Sequence, residues 1–501
     1  MVEGRTHKPV VKPQVCQTCN VCVQGCPAEL IPEFRKEEGS LRGALYGGKM
    51  GNTHRKGKKT DLPPCQEACP VNLETSAYVG LIAEGRFLEA LDLIREELPF
   101  PGVIGRICHH PCQYACLREE AVDEAVSLCD LKRFVADYEV GKRDIPVPVP
   151  GKEKGKKVAI VGGGPSGMAC AIELRKAGLS VTIFEASGRL GGMLCWGVPA
   201  FRLPRNVLER EVSLVEKAGI EVRCNARVGR DVSFKEIRDT FDAVYIGCGA
   251  EQGAKLGIKN EDAAGIWTGV DFLRIVNESR NVAMGGKVVV VGGGNVAVDA
   301  ALTVSRLGAK EVRMICLEKA KGIPANEEEV EQAREEGVKI HAAWGPKRII
   351  VEDGRVKAVQ FKRCKAVFDR EGRFKPVYDE KITKTFDADM VIVAIGQAPE
   401  IGFLKGLEGM EVTAGGWIKA DPSTLETSVA GVFAGGDIVT GPGMAINAIA
   451  DGKKAAAAIE RYLGQATCGV GTPVKTGVQK VLRRSGRLII SHRQGRTKAD
   501  V

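Results

Sequence analysis

Residues 158–193 read VAIVGGGPSGMACAIELRKAGLSVTIFEASGRLGGM. An apolar, β-branched run, Val158–Val161, enters Gly162, Gly164 and Gly167 directly, and a helical pattern follows at once. In a strand–turn–helix of this kind the first glycine makes the tight turn, the second lets the backbone approach a pyrophosphate, and the third lets helix and strand pack closely. The helix, opened by Pro165 and Ser166, then offers free N–H groups and the positive end of its dipole to the phosphates. Glu185 closes the next strand, Val181–Phe184, where a carboxylate suits a ribose hydroxyl. A glycine triplet alone reads as a turn; strand, helix and carboxylate together predict a dinucleotide site.

The pattern restarts at residue 287 with KVVVVGGGNVAVDAALTVSRLGAKEVRMICLEKAKGIPA. Gly292, Gly294 and Ala297 repeat the spacing, with Asn295 and Val296 inside the turn. The next strand ends in Glu318, not arginine. A carboxylate there accepts from an adenosine 2′-hydroxyl and repels a 2′-phosphate, which predicts NAD(H) over NADP(H). Lys319 and Lys321 stand close by and pull the other way.

Two such sites imply a flavin and a nicotinamide nucleotide working together. The late stretch GVFAGGDIVTGPGMAINAIADGKKAAAAI separates them. Gly436 and Asp437 follow a strand, and Met444 and Ala445 open a last helix whose N-terminus suits a flavin's pyrimidine carbonyl. Because this piece is remote in sequence, it completes the outer domain most simply. FAD is therefore expected at Gly162, Gly164, Pro165, Ser166, Gly167, Glu185, Gly191, Gly192, Met193, Gly436, Asp437, Met444 and Ala445. The nicotinamide nucleotide is expected at Gly292, Gly294, Asn295, Val296, Ala297 and Glu318.

Of 17 cysteines, ten precede residue 130. Nothing at the N-terminus resembles an export signal, and no apolar stretch is long enough to span a membrane, so a cytoplasmic protein is expected and clustered cysteines point to metal instead of disulfides. Cys16, Cys19, Cys22 and Cys26–Pro27 spell C-x2-C-x2-C-x3-C-P, the bacterial ferredoxin run that wraps a 4Fe–4S cube. Structural zinc instead takes two separated C-x-x-C knuckles. Cys65, Cys69, Cys108, Cys112, Cys116 and Cys129 punctuate a helical stretch. Two clusters need eight ligands and three need twelve; with ten cysteines, two is the economical count. His54, His109 and His110 read better as hydrogen-bonded surface histidines than as ligands.

The net charge is +9. Residues 1–60 carry 11 Lys/Arg against 5 Asp/Glu, and 465–501 carry 8 against 1, so the body between is slightly acidic. Basicity confined to the ends speaks against a nucleic-acid-binding fold and for terminal docking segments, with two solvated tails as the plain alternative. Gly is enriched, 61 of 501 residues, against a usual share of about 7%. The organisation expected is a ferredoxin-like segment (1–40), a basic linker (41–60), a helical iron–sulfur domain (61–145), an FAD-binding domain (156–280 and 388–464), an NAD(P)-binding domain inserted in it (281–387), and a basic tail (465–501). In fold class this is α/β, with two nested Rossmann-like domains behind a helical iron–sulfur domain.

GGGPSGMACA, GGMLCWGVPAFRLP, VVVVGGGNVAVDAA and AGGDIVTGPGMAINAIADGKKAA resemble the glutamate synthase small subunit. They equally resemble the flavin and iron–sulfur region of dihydropyrimidine dehydrogenase and the large subunit of NADH-dependent ferredoxin:NADP oxidoreductase. The resemblance covers about residues 61–464 and implies FAD in the outer domain, a nicotinamide nucleotide in the inner one, and iron–sulfur clusters in the helical domain. It also implies that Cys69, Cys108 and Cys112 hold the cluster nearer the flavin. The family's polar fourth ligand falls at Lys132, whose ammonium cannot bind iron; Cys129, one helical turn earlier, is a plausible replacement. The families' second cluster uses the positions of Cys65 and Cys116 with an upstream C-x-x-C, but residues 61–64 here are Asp-Leu-Pro-Pro. Disulfide reductases of similar build need a dithiol beside the flavin; here that stretch holds Cys195 alone.

The leading functional expectation is an electron-transferring flavoprotein subunit, linking NAD(H) and FAD to 4Fe–4S clusters and then to other redox subunits or ferredoxin in a hetero-oligomeric complex. The runner-up is an NADPH-dependent reductase module of the glutamate synthase kind. A structural relay with a vestigial nucleotide site is a third reading, against which the intact inner glycine turn stands.

Overall fold

The computed structural model describes residues 62–465 apart from 122, 280, 281, 283 and 285. The ferredoxin-like segment with Cys16, Cys19, Cys22 and Cys26, the basic linker and the tail after residue 465 lie outside the described residues. The described residues up to Glu460 form one compact unit; of the second, from Arg461 on, the described part is the end of the last helix.

Short helices come first: Pro64–Glu67, Thr75–Ala83, Phe87–Glu97, Pro101–Ile107, Pro111–Tyr114, Leu117–Ala121 and Leu128–Glu139. Three of them open on proline, whose missing N–H is no loss in a first turn. Gly85, at φ +74°, interrupts the apolar periodicity between Ala77 and Ile94 and yields two helices. Ala90, Leu91 and Ile94 on one helix and Leu128, Val135 and Ala136 on another supply the small core. Two buried carboxylates fasten this layer to the helix Arg205–Lys217 of the outer nucleotide-binding domain. Glu139 accepts from Arg95 (2.5 and 2.7 Å), Arg143 (2.9 Å) and Arg210 (3.2 Å). Glu211 accepts from the amides of Gly102 (2.7 Å) and Val103 (2.8 Å) at the start of the helix Pro101–Ile107. Burial lifts its carboxyl to about 7.

The strands are β1 Lys157–Val161, β2 Ser180–Phe184, β3 Glu221–Arg223, β4 Ala243–Ile246, β5 Gln252–Gly253, β6 Ile266–Thr268, β7 Lys287–Val291, β8 Glu311–Ile315, β9 Lys339–His341, β10 Trp344–Glu352, β11 Arg355–Phe368, β12 Phe374–Asp387, β13 Met390–Val393, β14 Gln397–Ala398 and β15 Val432–Ala434. The first sheet runs β15-β4-β1-β2-β3 and the second β6-β13-β7-β8-β9, both parallel. After its first residue each central strand, β1 and β7, is buried throughout, as expected where helices cover both faces. The remote strand β15 pairs with β4 and closes the first sheet, so the second domain is nested in the first.

The expected boundary at residue 388 is displaced. The strand Met390–Val393, assigned from sequence to the outer domain, lies in the second sheet between β6 and β7. On the near side, β6 and the helix Gly269–Ser279, expected before the insertion, also belong to the inner domain. The junction is instead the short antiparallel pair β5–β14. A four-residue apolar strand declares that it is buried on both faces, not which neighbour it pairs with. The sequence reading also assigned no element to residues 344–387, which build a three-stranded antiparallel sheet, β10-β11-β12. Among the described residues no helix is long and apolar enough to cross a membrane.

Candidate functional site

At the first glycine turn each glycine answers a different constraint. A Cβ on Gly162 (φ +103°) would stand 2.7 Å from Cys248 Cα, and one on Gly167 only 2.0 Å from the Gly162 carbonyl oxygen. A Cβ on Gly164 would meet nothing within 4 Å, so this side of the turn is open, as close approach of a pyrophosphate requires. Glu185 accepts from the Gly163 amide (2.7 Å) and from the amide (2.7 Å) and hydroxyl (2.6 Å) of Ser187, which fixes its carboxylate against the glycine turn. The Gly191–Gly192 turn packs on this one: the Gly191 amide donates to the Gly163 carbonyl at 2.8 Å. Opposite, Asp437 follows Gly436 and accepts from the Gly443 amide at 3.2 Å. Burial raises its carboxyl to about 6.

The second turn repeats the geometry. A Cβ on Gly292 (φ +146°) would meet the Ala394 carbonyl oxygen at 2.2 Å, whereas Gly294 has open space. The Glu318 carboxylate lies 2.9 Å from the Cβ position of Gly293, over the turn.

Both turns open on one cavity of about 1350 Å³. Its lining takes in Gly162, Gly164, Pro165, Ser166, Glu185, Gly192, Met193, Gly436, Asp437, Met444 and Ala445, and also Gly292, Gly294, Asn295, Val296 and Glu318. Gly167, Gly191 and Ala297 are not in that lining; they serve the packing behind it. Pockets for one drug-sized ligand run to about 1000 Å³, so this cavity is larger than one such ligand needs.

The sequence reading missed the groups that join the layers at this cavity. Arg202, from the outer domain, donates twice to Asp299 (2.8 and 2.7 Å) and once to Glu329 (2.5 Å), both on inner-domain helices. Glu329 is pushed up to about 7 by burial. Asn295 bonds His109 Nε2 at 2.5 Å and donates to Glu329 at 3.2 Å. His109 is hydrogen-bonded, as expected, but only partly exposed: it lies between Cys108 and Cys112 and lines the cavity. Burial, then Arg202, holds its pKa below the usual value. No local pattern could have revealed these pairs, because each joins residues far apart in sequence. Cys248 is half-buried and lines the cavity; burial pushes its thiol up to about 12.

In the helical layer, Cys65, Cys69, Cys112 and Cys129 are buried, while Cys108 and Cys116 are half-buried. Cys129 Sγ lies 4.0 Å from the Cys108 carbonyl, and the closeness of the two thiols holds that of Cys108 below the ordinary thiol range. Burial drives Cys112 up to about 12. The side chain of Lys132 is enclosed beside them, 2% exposed. Burial opposes its charge, yet Cys129, Cys108, Cys112 and Cys69 together hold the ammonium above its ordinary range. A buried cation faced by thiols calls for bound anionic sulfur, and that donor set fits an iron–sulfur cube. Among the described residues no three His, Cys, Asp or Glu side chains converge as a single metal ion requires. A cube holds its thiolates farther apart than one ion does.

Two glycine turns on a shared cavity, beside a thiol-lined helical layer, define a two-nucleotide oxidoreductase with an iron–sulfur domain. Residues 156–452 match the pyridine nucleotide-disulphide oxidoreductase family, and residues 56–144 match dihydropyrimidine dehydrogenase domain II, 4Fe-4S cluster. The chain is 41% identical to the NADP(+)-dependent formate dehydrogenase subunit beta of Moorella thermoacetica over 81% of its own length and 60% of that protein's. It is 35% identical to the glutamate synthase [NADPH] small chain of Escherichia coli, covering 80% of this chain and 89% of that one. FprA of Mycobacterium tuberculosis, solved in complex with NADPH, shares the fold at TM-score 0.53 and 19% identity over 63% of this chain and 87% of that one. The chain belongs to the pyridine nucleotide-disulphide oxidoreductases, in the glutamate synthase small-chain group of FAD/iron–sulfur NAD(P)H oxidoreductases. It spans less than two thirds of the formate dehydrogenase subunit, which has further sequence of its own.

Proposed function

We propose that this chain is the electron-transferring flavoprotein subunit of a larger cytoplasmic redox complex, exchanging hydride between NAD(H) and FAD and relaying single electrons through 4Fe–4S clusters to or from a protein partner. The observation that carries the reading is the single cavity shared by both glycine turns and by His109 of the Cys108–Cys112 loop. When bound, a flavin supplies the exchange between two-electron and one-electron chemistry. Residues of the first turn with Glu185, Asp437 and Met444 hold it. Gly292, Gly294, Asn295 and Glu318 hold the nicotinamide nucleotide. Arg202 keeps the two domains in one orientation by bridging to Asp299 and Glu329. No side-chain acid or base is needed for hydride exchange; the protein positions the rings and excludes water.

The ligand set proposed for the inner cluster is Cys69, Cys108, Cys112 and Cys129, with Cys16–Cys26 holding an outer one. Cys65 and Cys116 are then spare, or serve the outer cluster. NADH is the proposed nucleotide because of Glu318. Both relatives named above carry NADP in their names, which supports the second reading, an NADPH-dependent reductase module. Viologen reduction by purified protein with NADH or NADPH decides between them. NADH preference upholds the proposal, and strong NADPH preference installs the alternative. Subunits that co-purify identify the partner.

A further inference from the structure

The antiparallel sheet β10-β11-β12 is a long extension of the inner domain that the redox chemistry leaves without a task. Its start is bonded to the segment that carries Glu318: the Trp344 amide donates to the Cys316 carbonyl (2.8 Å) and the Ala343 amide to the Glu318 carbonyl (2.7 Å). The non-glycine Ala343 takes φ +65° to make this junction. Tyr378 then lies over Gly345, where a Cβ would meet its ring at 2.4 Å and Leu317 at 2.8 Å. Trp344, Pro346, Phe374, Pro376 and Tyr378 all line the cavity next to Leu317 and Glu318. Phe374 does so while 65% exposed, with its ring touching that of Phe368 edge-on (6.2 Å between centroids). A flat, apolar and aromatic wall beside a carboxylate placed for a ribose has the chemistry of a purine subsite.

We propose that β10-β11-β12 forms the adenine-binding wall of the inner nucleotide site, with Phe374 and Tyr378 presenting rings to the base. This rests on the reading of the inner site as the nicotinamide-nucleotide site. Stacking of a base on an aromatic side chain is worth about 1–3 kcal/mol. For an exposed ring such as Phe374 the low end applies, and about five- to tenfold in affinity is at stake.

The test compares NADH with reduced nicotinamide mononucleotide, which has the same reacting ring and no adenosine. Anaerobic flavin reduction is followed in the holoenzyme and in Phe374→Ala and Phe374→Trp. The exposure of Phe374 makes both variants safe for folding. In Phe374→Ala the half-saturating NADH concentration rises about five- to tenfold at unchanged limiting rate, the mononucleotide behaves as in the parent, and Phe374→Trp restores NADH binding. Equal effects on both substrates, or on neither, overturn the adenine wall while leaving the inner site as the nucleotide site. If neither these two nor NADPH reduces the flavin of the unaltered protein, the reading of the inner site itself falls, and the wall with it.

Discussion

Arg202→Met is the substitution whose cost follows most directly from the structure. The Arg202 side chain is 15% exposed and Asp299 8%, and two hydrogen bonds of 2.8 and 2.7 Å join them across the domain junction. Removing the guanidinium leaves Asp299 buried beside Glu329 with no cation between them. Breaking a buried pair in this one-sided way costs about 3–5 kcal/mol. Adding Asp299→Asn removes most of the stranded charge, so a double-mutant cycle on urea midpoints shows coupling of about 2 kcal/mol. The same guanidinium sets how the two nucleotide domains face each other, and a displacement of about 1 Å between reacting rings lowers flavin reduction about 100-fold. Arg202→Met thus slows reduction by NADH even in the fraction that stays folded, and Asp299→Asn does not repair that. A single variant within about 0.5 kcal/mol of the parent, with additive energies in the cycle, would refute the clasp.

Glu318→Arg exchanges a carboxylate–phosphate repulsion for a charge-assisted pair and shifts kcat/KM towards NADPH about tenfold or more; steady-state rates with both nucleotides check it. The Glu329 carboxyl, lifted to about 7 from 4.5, keeps in the folded state a proton that the unfolded chain has released. Stability therefore falls as pH rises between those values, and Glu329→Gln flattens the decline in urea midpoints. Anaerobically purified protein carries one FAD and about eight iron atoms per chain; about four would mean one cysteine group is empty, and about twelve would require donors other than cysteine. Deleting residues 1–40 leaves NADH-to-dye activity and abolishes transfer to the natural partner; partner reduction that survives the deletion takes the N-terminal cysteines off the electron path.

Local sequence carried the two nucleotide turns because each is written in consecutive residues. A β-branched strand, three small residues at fixed spacing and a helix leave little choice of conformation at Gly162 or Gly292. That Cys129 and Lys132 share a helix face was legible for the same reason, three residues being close to one helical turn; that the face is buried was not. Long-range choices were not. Met390–Val393 fits either parallel sheet equally well by composition, and its place between β6 and β7 is set by long-range pairing that its own residues do not encode. Glu211 and Arg202 look like ordinary charges in amphipathic stretches. Their roles come from partners more than ninety residues away, the amides of Gly102 and Val103 and the carboxylate of Asp299. His109 read as a surface residue because its neighbours in sequence are polar or cysteine, whereas its neighbour in space is Asn295.

The central claim is that nucleotide, flavin and clusters form one electron path within this chain. Protein reduced fully with dithionite, freed of excess reductant and mixed anaerobically with NAD⁺, tests it in a single measurement. If the clusters empty through the flavin, about two NADH form per chain, one from the flavin and one from two clusters, and the paramagnetic signal of the reduced clusters disappears. About one NADH per chain, with that signal intact, would contradict the account.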